Sequence, residues 1–319
     1  LLTAGLPILF LDYAVGHRFR GTPPLAFRRI ARSAEPLGWY QVGICFIITI
    51  YYAAVIAWAG SYFFFSFGNQ WGTDPQTFLF EDYLQLSGPE VSTRFVPAVL
   101  IPLVLVWVAC LVVLAGGVAK GLGRANLVFL PLLVLCFIAL VIRALFLPGA
   151  VDGLDAFFTP NWGALLDPQV WIAAYSQIFF SLSVAFGIMV TYASYLRSRS
   201  NLTGAGLVVG FANSSFEMLA GIGVFATLGF MAHQQGVAVG ELEGLMGVAL
   251  AFITFPAIIS QMPGGLTASI FGALFFGSLV MAGFTSILSL LQVISGAVQD
   301  KFGFTPRAAA CWVCGVLGV

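Results

Sequence analysis

The sequence predicts an all-α protein that crosses a lipid bilayer many times within one transmembrane domain, residues 1–319. Three observations predict this. Of its 319 residues 60% are apolar and only 8% are charged, whereas soluble domains carry roughly 25% charged residues. Apolar runs recur that reach the about 20 helical residues needed to traverse hydrocarbon. The basic residues, finally, sort to one side of those runs. A formal net charge of zero gives no footing for nucleic acid, so the expected partners are the bilayer and small solutes.

In order along the chain, crossings are expected at 1–17, 37–68, 95–118, 125–147, 168–195, 203–232, 264–297 and 307–319. The chain starts and stops inside apolar runs, LLTAGLPILFLDYAVG and CWVCGVLGV, so the outermost two crossings are expected to be parts of longer segments. Arg18, Arg20, Arg28, Arg29 and Arg32 share the connection after the first crossing. Lys120 and Arg124 come two crossings later, Arg197 and Arg199 two further on, and Lys301 and Arg307 two beyond that. Eleven of the 13 basic residues therefore fall on one side, which the positive-inside rule makes cytoplasmic. Asp74, Glu81, Asp82, Glu90, Asp152, Asp155, Asp167, Glu241 and Glu243 occupy the opposite loops. The apolar stretch LMGVALAFITFPAIIS, 245–260, would spoil this alternation if it crossed. It is expected to be a hairpin or re-entrant piece on the outer side, helped by Pro256 and the PGG at 263–265.

Metal and enzyme chemistry find little support. Cys45, Cys110, Cys136, Cys311 and Cys314 all lie in apolar segments and read as small packing residues. The CxxC of Cys311 and Cys314 has neither a second pair nor a nearby histidine. The two histidines, His17 and His233, sit near loops on opposite sides, which leaves no histidine-based acid–base or metal cluster and no expected enzyme activity.

Polar side chains inside a membrane are costly and are functional candidates by default. Counted at 1.5 Å per residue, Tyr52 and Ser181 lie roughly 20 Å from the nearer loop used for each, Asn213 about 15 Å, and Thr285 with Ser286 about 22 Å. Four crossings thus place hydroxyl or amide oxygens near one depth. Each alone has a plainer account: Ser and Thr bond backbone carbonyls of their own helix, and Asn serves as interhelical glue. Their shared depth favours a site for a small polar ligand or a hard cation.

The segment FFSLSVAFG, 179–187, adds a second cue. Its β-branched, small and Gly residues weaken the helix near mid-membrane, and a break there frees backbone groups that hydrocarbon tolerates only beside a cavity or ligand. The C-terminal end of the preceding half-helix carries partial negative charge, suited to a cation or an ammonium. Broken helices with a site at the midplane mark secondary transporters.

Several strings resemble the neurotransmitter:sodium symporter family. VWIAAYSQIFFSLSVAFGIMVTYASYLR (170–197) resembles its sixth helix, IYYAAVIAW (50–58) its third, FANSSFEMLAGIGVF (211–225) its seventh and MAGFTSILSLLQ (281–292) its eighth, while GLPILFLDYAVGHRFRG (5–21) is similar to the end of its second helix and first inner loop. The resemblance spans essentially the whole chain in the family's order. It implies a leucine-transporter-type inverted-repeat fold with about helices two to nine present, and sodium-coupled symport by alternating access. A channel-like or differently coupled member of the same fold is the alternative.

Position by position, the resemblance implies that Tyr52 donates its hydroxyl to a substrate carboxylate and that Phe180 closes over the substrate with it. Ile48, Ser183, Phe186, Ser286 and Leu290 would line the pocket, and the Ser181–Phe186 backbone would face the amine. Two sodium ions are implied, one at Ser181 and Asn213, the other at the Ala282 carbonyl, Thr285 and Ser286. Glu217, with Gln177 as neighbour, stands where chloride-dependent members typically carry a serine, which implies a chloride-independent symporter. The pocket suits a neutral, apolar or aromatic amino acid. The expected location is the inner, plasma membrane of a bacterium.

Overall fold

Long apolar stretches flanked by strong start and stop residues become long helices, and their ends follow the cap chemistry. The computed structural model describes residues 1–86, 95–116, 123–242, 247, 250–262 and 264–318. Its helices are α1 (Gly5–Phe19), α2 (Pro23–Ile30), α3 (Glu35–Phe65), α4 (Pro75–Thr77), α5 (Pro97–Ala115), α6 (Gly123–Leu145), α7 (Ala150–Phe158), α8 (Pro168–Ser181), α9 (Ile188–Tyr195), α10 (Leu202–Gln235), α11 (Phe255–Gln261), α12 (Gly265–Phe302) and α13 (Pro306–Leu317). Among the described residues there is no β-strand.

The boundaries are set locally. Proline stands in the first turn of α3, α5, α8 and α13, where its missing N–H costs nothing. Asp167, Asn201 and Thr305 accept from backbone N–H groups of Gln169, Gly204 and Ala308 at 2.9, 2.9 and 3.3 Å, capping α8, α10 and α13. Gly236 and Gly303 end α10 and α12 in the left-handed region, the usual glycine stop.

Among the described residues five helices are long and apolar enough to cross a bilayer: those within Arg32–Phe65, Pro97–Ala115, Asn126–Leu145, Leu202–Gln235 and Gly265–Phe302. Their surroundings differ. The most apolar stretch of α12 is 56% buried, that of α5 only 17%, so α12 is an inner post and α5 turns most of its surface outward. α12 packs along α3 and α6. One core joins α3, α5, α12 and α13 through Cys45, Ile56, Trp107, Cys110, Ile287, Leu291 and Val313. A second, aromatic core gathers Tyr62, Trp71, Tyr83, Phe252, Phe255 and Phe276 near the other end of α3.

Two stretches are helical where the sequence named only a connection and a hairpin or re-entrant piece. The connection holding Arg28 and Arg29 is not a plain loop: residues 23–30 form α2, whose Pro23, Pro24 and Ala26 are buried while its arginines are exposed. Prolines in the first turn preorganise it, and burying one face against α3 makes an eight-residue helix worthwhile. The stretch expected as a hairpin, 245–260, is helical where described. A π-helical turn, Leu250–Thr254, runs into α11, with Phe252, Phe255, Ile258 and Ile259 buried; this is far too short to traverse a bilayer. Lys120, Glu90, Glu243, Pro263 and the start of that stretch, apart from Gly247, lie outside the described residues.

At the arginine-bearing end, contacts are polar. Arg20 donates to the carbonyls of Ser194 and Leu196 at the end of α9, and Thr22 donates through N and Oγ1 to Asp300 at 2.8 and 2.7 Å. Lys301 meets Glu35 at 2.6 Å, with Arg28 at 3.7 Å on its other oxygen.

Candidate functional site

The crossing expected at 168–195 is broken. α8 stops at Ser181 and α9 starts at Ile188. Between them Ser183 and Ala185 take φ of 52° and 61°, and Gly187 takes 82°. Left-handed backbone costs an L-residue about 1–2 kcal/mol, so this turn persists only because its surroundings fix it. At Gly187 a Cβ would run into the Pro23 ring, so glycine is required there twice over.

The break is stitched from several sides. Val184 N–H returns to the Phe179 carbonyl at 3.2 Å. Ala185 N–H is received by Oδ2 of Asp12, from α1, at 2.9 Å. The Cys45 thiol of α3 donates to the Phe186 carbonyl at 3.2 Å. Freed backbone groups are expected only beside a cavity or ligand; the break borders a cavity, and these three groups also find protein partners, because hydrocarbon punishes an unpaired backbone group.

The broken segment opens onto a cavity of about 360 Å³. Nine of the expected residues line it: Ile48 and Tyr52 from α3, Phe180, Ser181, Ser183 and Phe186 from the break, and Thr285, Ser286 and Leu290 from α12. Tyr52 and Ser286 share the cavity wall. Phe180 and Phe186 meet edge to face, their centroids 6.2 Å apart.

The other four lie one step behind the wall. Asn213 on α10 donates from Nδ2 to the Ser181 hydroxyl. One turn along, Gln177 Nε2 donates to Glu217 Oε1 at 3.3 Å. The two pairs sit four residues apart on helices α8 and α10, one rung each. Glu217 is half-buried rather than enclosed. Ala282 offers its carbonyl, which presently accepts from the Thr285 hydroxyl at 2.9 Å. Among the described residues no cluster of three or more His, Cys, Asp or Glu side chains is placed to hold a metal ion.

Sequence reasoning missed several contributors, among them the apolar Leu130 and Ile188 of the cavity wall. Asn126 of α6, Met189 and Tyr192 of α9 and Ser289 of α12 also line the cavity, and Asp12 pins the break from outside it. Asp12 and Asn126 carried a readable signal: each is a lone polar residue in an apolar run, the default mark of function in a membrane. Ser289 follows Thr285 by one helical turn and shares its face. Tyr192 gave no such signal, since a tyrosine in a membrane helix is as readily a packing residue.

Comparison with known proteins agrees with this architecture. The family model described as Sodium:neurotransmitter symporter family matches residues 1–82 and 69–319. An uncharacterized sodium-dependent transporter of Methanocaldococcus jannaschii is 38% identical over 310 residues, covering 97% of this chain and 62% of the relative. The human sodium- and chloride-dependent creatine transporter 1 is 31% identical, covering 97% and 55%, and the mouse sodium- and chloride-dependent GABA transporter 2 is 28% identical, covering 95% and 55%. The chain thus spans between about half and two thirds of the length of these curated relatives. The crystal structure of MhsT in complex with L-phenylalanine superposes with a TM-score of 0.80 at 30% identity, covering 98% of this chain and 68% of the other. The all-α, leucine-transporter-type fold expected from the sequence is the fold of this multi-pass membrane protein.

Proposed function

We propose that this chain, which belongs to the sodium:neurotransmitter symporter family, forms the binding core of a secondary transporter that carries a neutral, apolar or aromatic amino acid together with sodium. The observation that supports it is the cavity walled by a broken helix, α3 and α12, lined by both hydroxyl oxygens and aromatic rings. Its volume of about 360 Å³ falls in the range of small-molecule sites, roughly 300–1,000 Å³. Among the described residues no charged side chain lines it, which favours a neutral side chain on the substrate, and MhsT, a structural neighbour, was crystallised with L-phenylalanine.

In this scheme Tyr52 donates to the substrate carboxylate and the Ser181–Phe186 backbone faces the ammonium. Ile48, Ser183, Phe186, Ser286 and Leu290 surround the side chain, and Phe180 closes over it. One sodium ion is held by Ser181 and Asn213 and a second by Ala282, Thr285 and Ser286, all hard oxygen donors suited to a hard cation. Binding substrate and ion in one dehydrated chamber couples their gradients, and alternating access follows when the chamber opens first to one side and then to the other.

The named curated relatives from mouse and human are sodium- and chloride-dependent; here Glu217 brings a carboxylate within one helical turn of Asn213. We propose that it supplies the negative charge that chloride would otherwise bring, which makes transport chloride-independent. The arginine-bearing end faces the cytoplasm of a bacterial inner membrane.

Tracer uptake by the full-length protein in proteoliposomes tests this. An inward sodium gradient should drive accumulation of phenylalanine or leucine, potassium should not replace sodium, and gluconate should replace chloride without loss. Uptake that is indifferent to sodium overturns the symport reading. Loss of uptake in gluconate overturns the role of Glu217 alone, and Glu217→Ser should then be no more chloride-sensitive than the parent.

A further inference from the structure

At the α12 end of the cavity three hydroxyl hydrogens are already spent. Thr285 donates to the Ala282 carbonyl at 2.9 Å, Ser289 to the Thr285 carbonyl at 3.1 Å, and Tyr192 to Ser289 at 2.7 Å. A hydroxyl has one hydrogen to give, so what these groups have left to offer is lone pairs. Asn126 lines the same cavity from α6, a helix packed along α12. Its Oδ1 is shut away from solvent and has no hydrogen-bond partner among the described residues. A buried carbonyl oxygen without a donor is rare and costly, and it asks for a ligand that brings positive charge.

We propose that Asn126 Oδ1 is a further oxygen donor to the sodium ion held at the α12 end of the cavity, acting beside Thr285. The chemistry selects the ligand. A wall offering neutral oxygens, with no thiolate, imidazole or carboxylate among its lining residues, suits a hard monovalent cation and is poor for a transition metal. The side-chain amide of Asn126 reaches from a helix other than the one carrying Thr285, so sodium at this point ties α6 to α12. Ion occupancy is thereby linked to the packing of two crossings. This inference rests on the assignment of a sodium ion to Ala282, Thr285 and Ser286.

The test measures sodium-dependent thermal stabilisation of the purified full-length protein without amino acid, and separately the phenylalanine Kd at saturating sodium. Asn126→Ala is expected to raise the sodium concentration for half-maximal stabilisation about fivefold or more, a larger factor than any change in the phenylalanine Kd at saturating sodium. Asn126→Asp, which keeps an oxygen in place, is expected to hold the half-maximum at or below the parental value; it also serves if the alanine variant fails to fold. An unchanged half-maximum in Asn126→Ala overturns the proposal, as does a shift confined to phenylalanine affinity, which would assign the oxygen to the substrate ammonium. A weaker sodium response in Asn126→Asp overturns it too. Failure of the parental protein to respond to sodium at all sinks the underlying function instead, so the two failures are distinguishable.

Discussion

Two crossings wall the same cavity and are built in opposite ways. The 168–195 crossing is cut into α8 and α9 with three left-handed residues between them, while α12 runs 38 residues without interruption. The broken crossing exposes backbone groups and must have them caught by its neighbours: Asp12 from α1 and Cys45 from α3. The continuous one satisfies its own backbone and contributes side-chain hydroxyls at fixed spacing, Thr285, Ser286 and Ser289. The comparison teaches that the first depends on tertiary contacts for its shape and the second does not. A substitution that removes a contact should therefore distort the break and merely weaken binding at the post.

The largest effect should come from the glycine positions. Gly187→Ala adds a Cβ at positive φ and against Pro23, and should destabilise by about 3 kcal/mol, the upper end of ordinary substitutions. Gly283→Ala in α12 keeps helical backbone but puts a Cβ 2.7 Å from Cγ1 of the buried Ile56, so denaturation in detergent should place it about 1–2 kcal/mol below the parent. Equal losses at the two sites would remove the distinction.

Asp12→Ala should come next. It leaves the Ala185 N–H buried without an acceptor, at a cost of about 2 kcal/mol. Asp12→Asn keeps an oxygen and should lose about half as much; the same thermal unfolding series reads both. If Asp12→Ala is neutral, the break holds itself and needs no anchor.

On the continuous post the effect should move from stability to ion affinity. Thr285→Val should raise the sodium concentration for half-maximal phenylalanine binding about tenfold, equivalent to about 1.4 kcal/mol, with a melting temperature near the parental one in the absence of sodium. A large drop in that melting temperature would show that the hydroxyl serves the fold. The smallest change is expected from Tyr192→Phe. It deletes the single bond to Ser289, which ties α9 to α12, and should cost about 1 kcal/mol.

Much of this was legible in the chain. The β-branched, small and glycine residues of SLSVAFG announced the break within a few residues, because helix propensity is local. The crossings at 37–68, 203–232 and 264–297 match α3, α10 and α12 closely, since length and apolarity alone define them. The pairing of Ser181 with Asn213, in contrast, follows from how α8 lies on α10, and α2 was missed because its buried face is defined by α3. Asn126 shows the limit most sharply. Its isolation among apolar residues was visible, but nothing local tells which neighbour its amide will meet.

By itself, then, the sequence determined that this is a many-crossing helical protein, where its long helices lie, which crossing breaks, and which polar residues of the apolar runs to weigh as a site. These are set by hydropathy, caps and propensity over distances of a few residues. Only the tertiary structure decided that most of those residues share one cavity, that Asp12 and Cys45 hold the break, and that the Thr285 and Ser289 hydroxyls already have acceptors for their hydrogens. Such facts depend on the packing of helices far apart in the chain, where shape complementarity rather than local preference selects the contact.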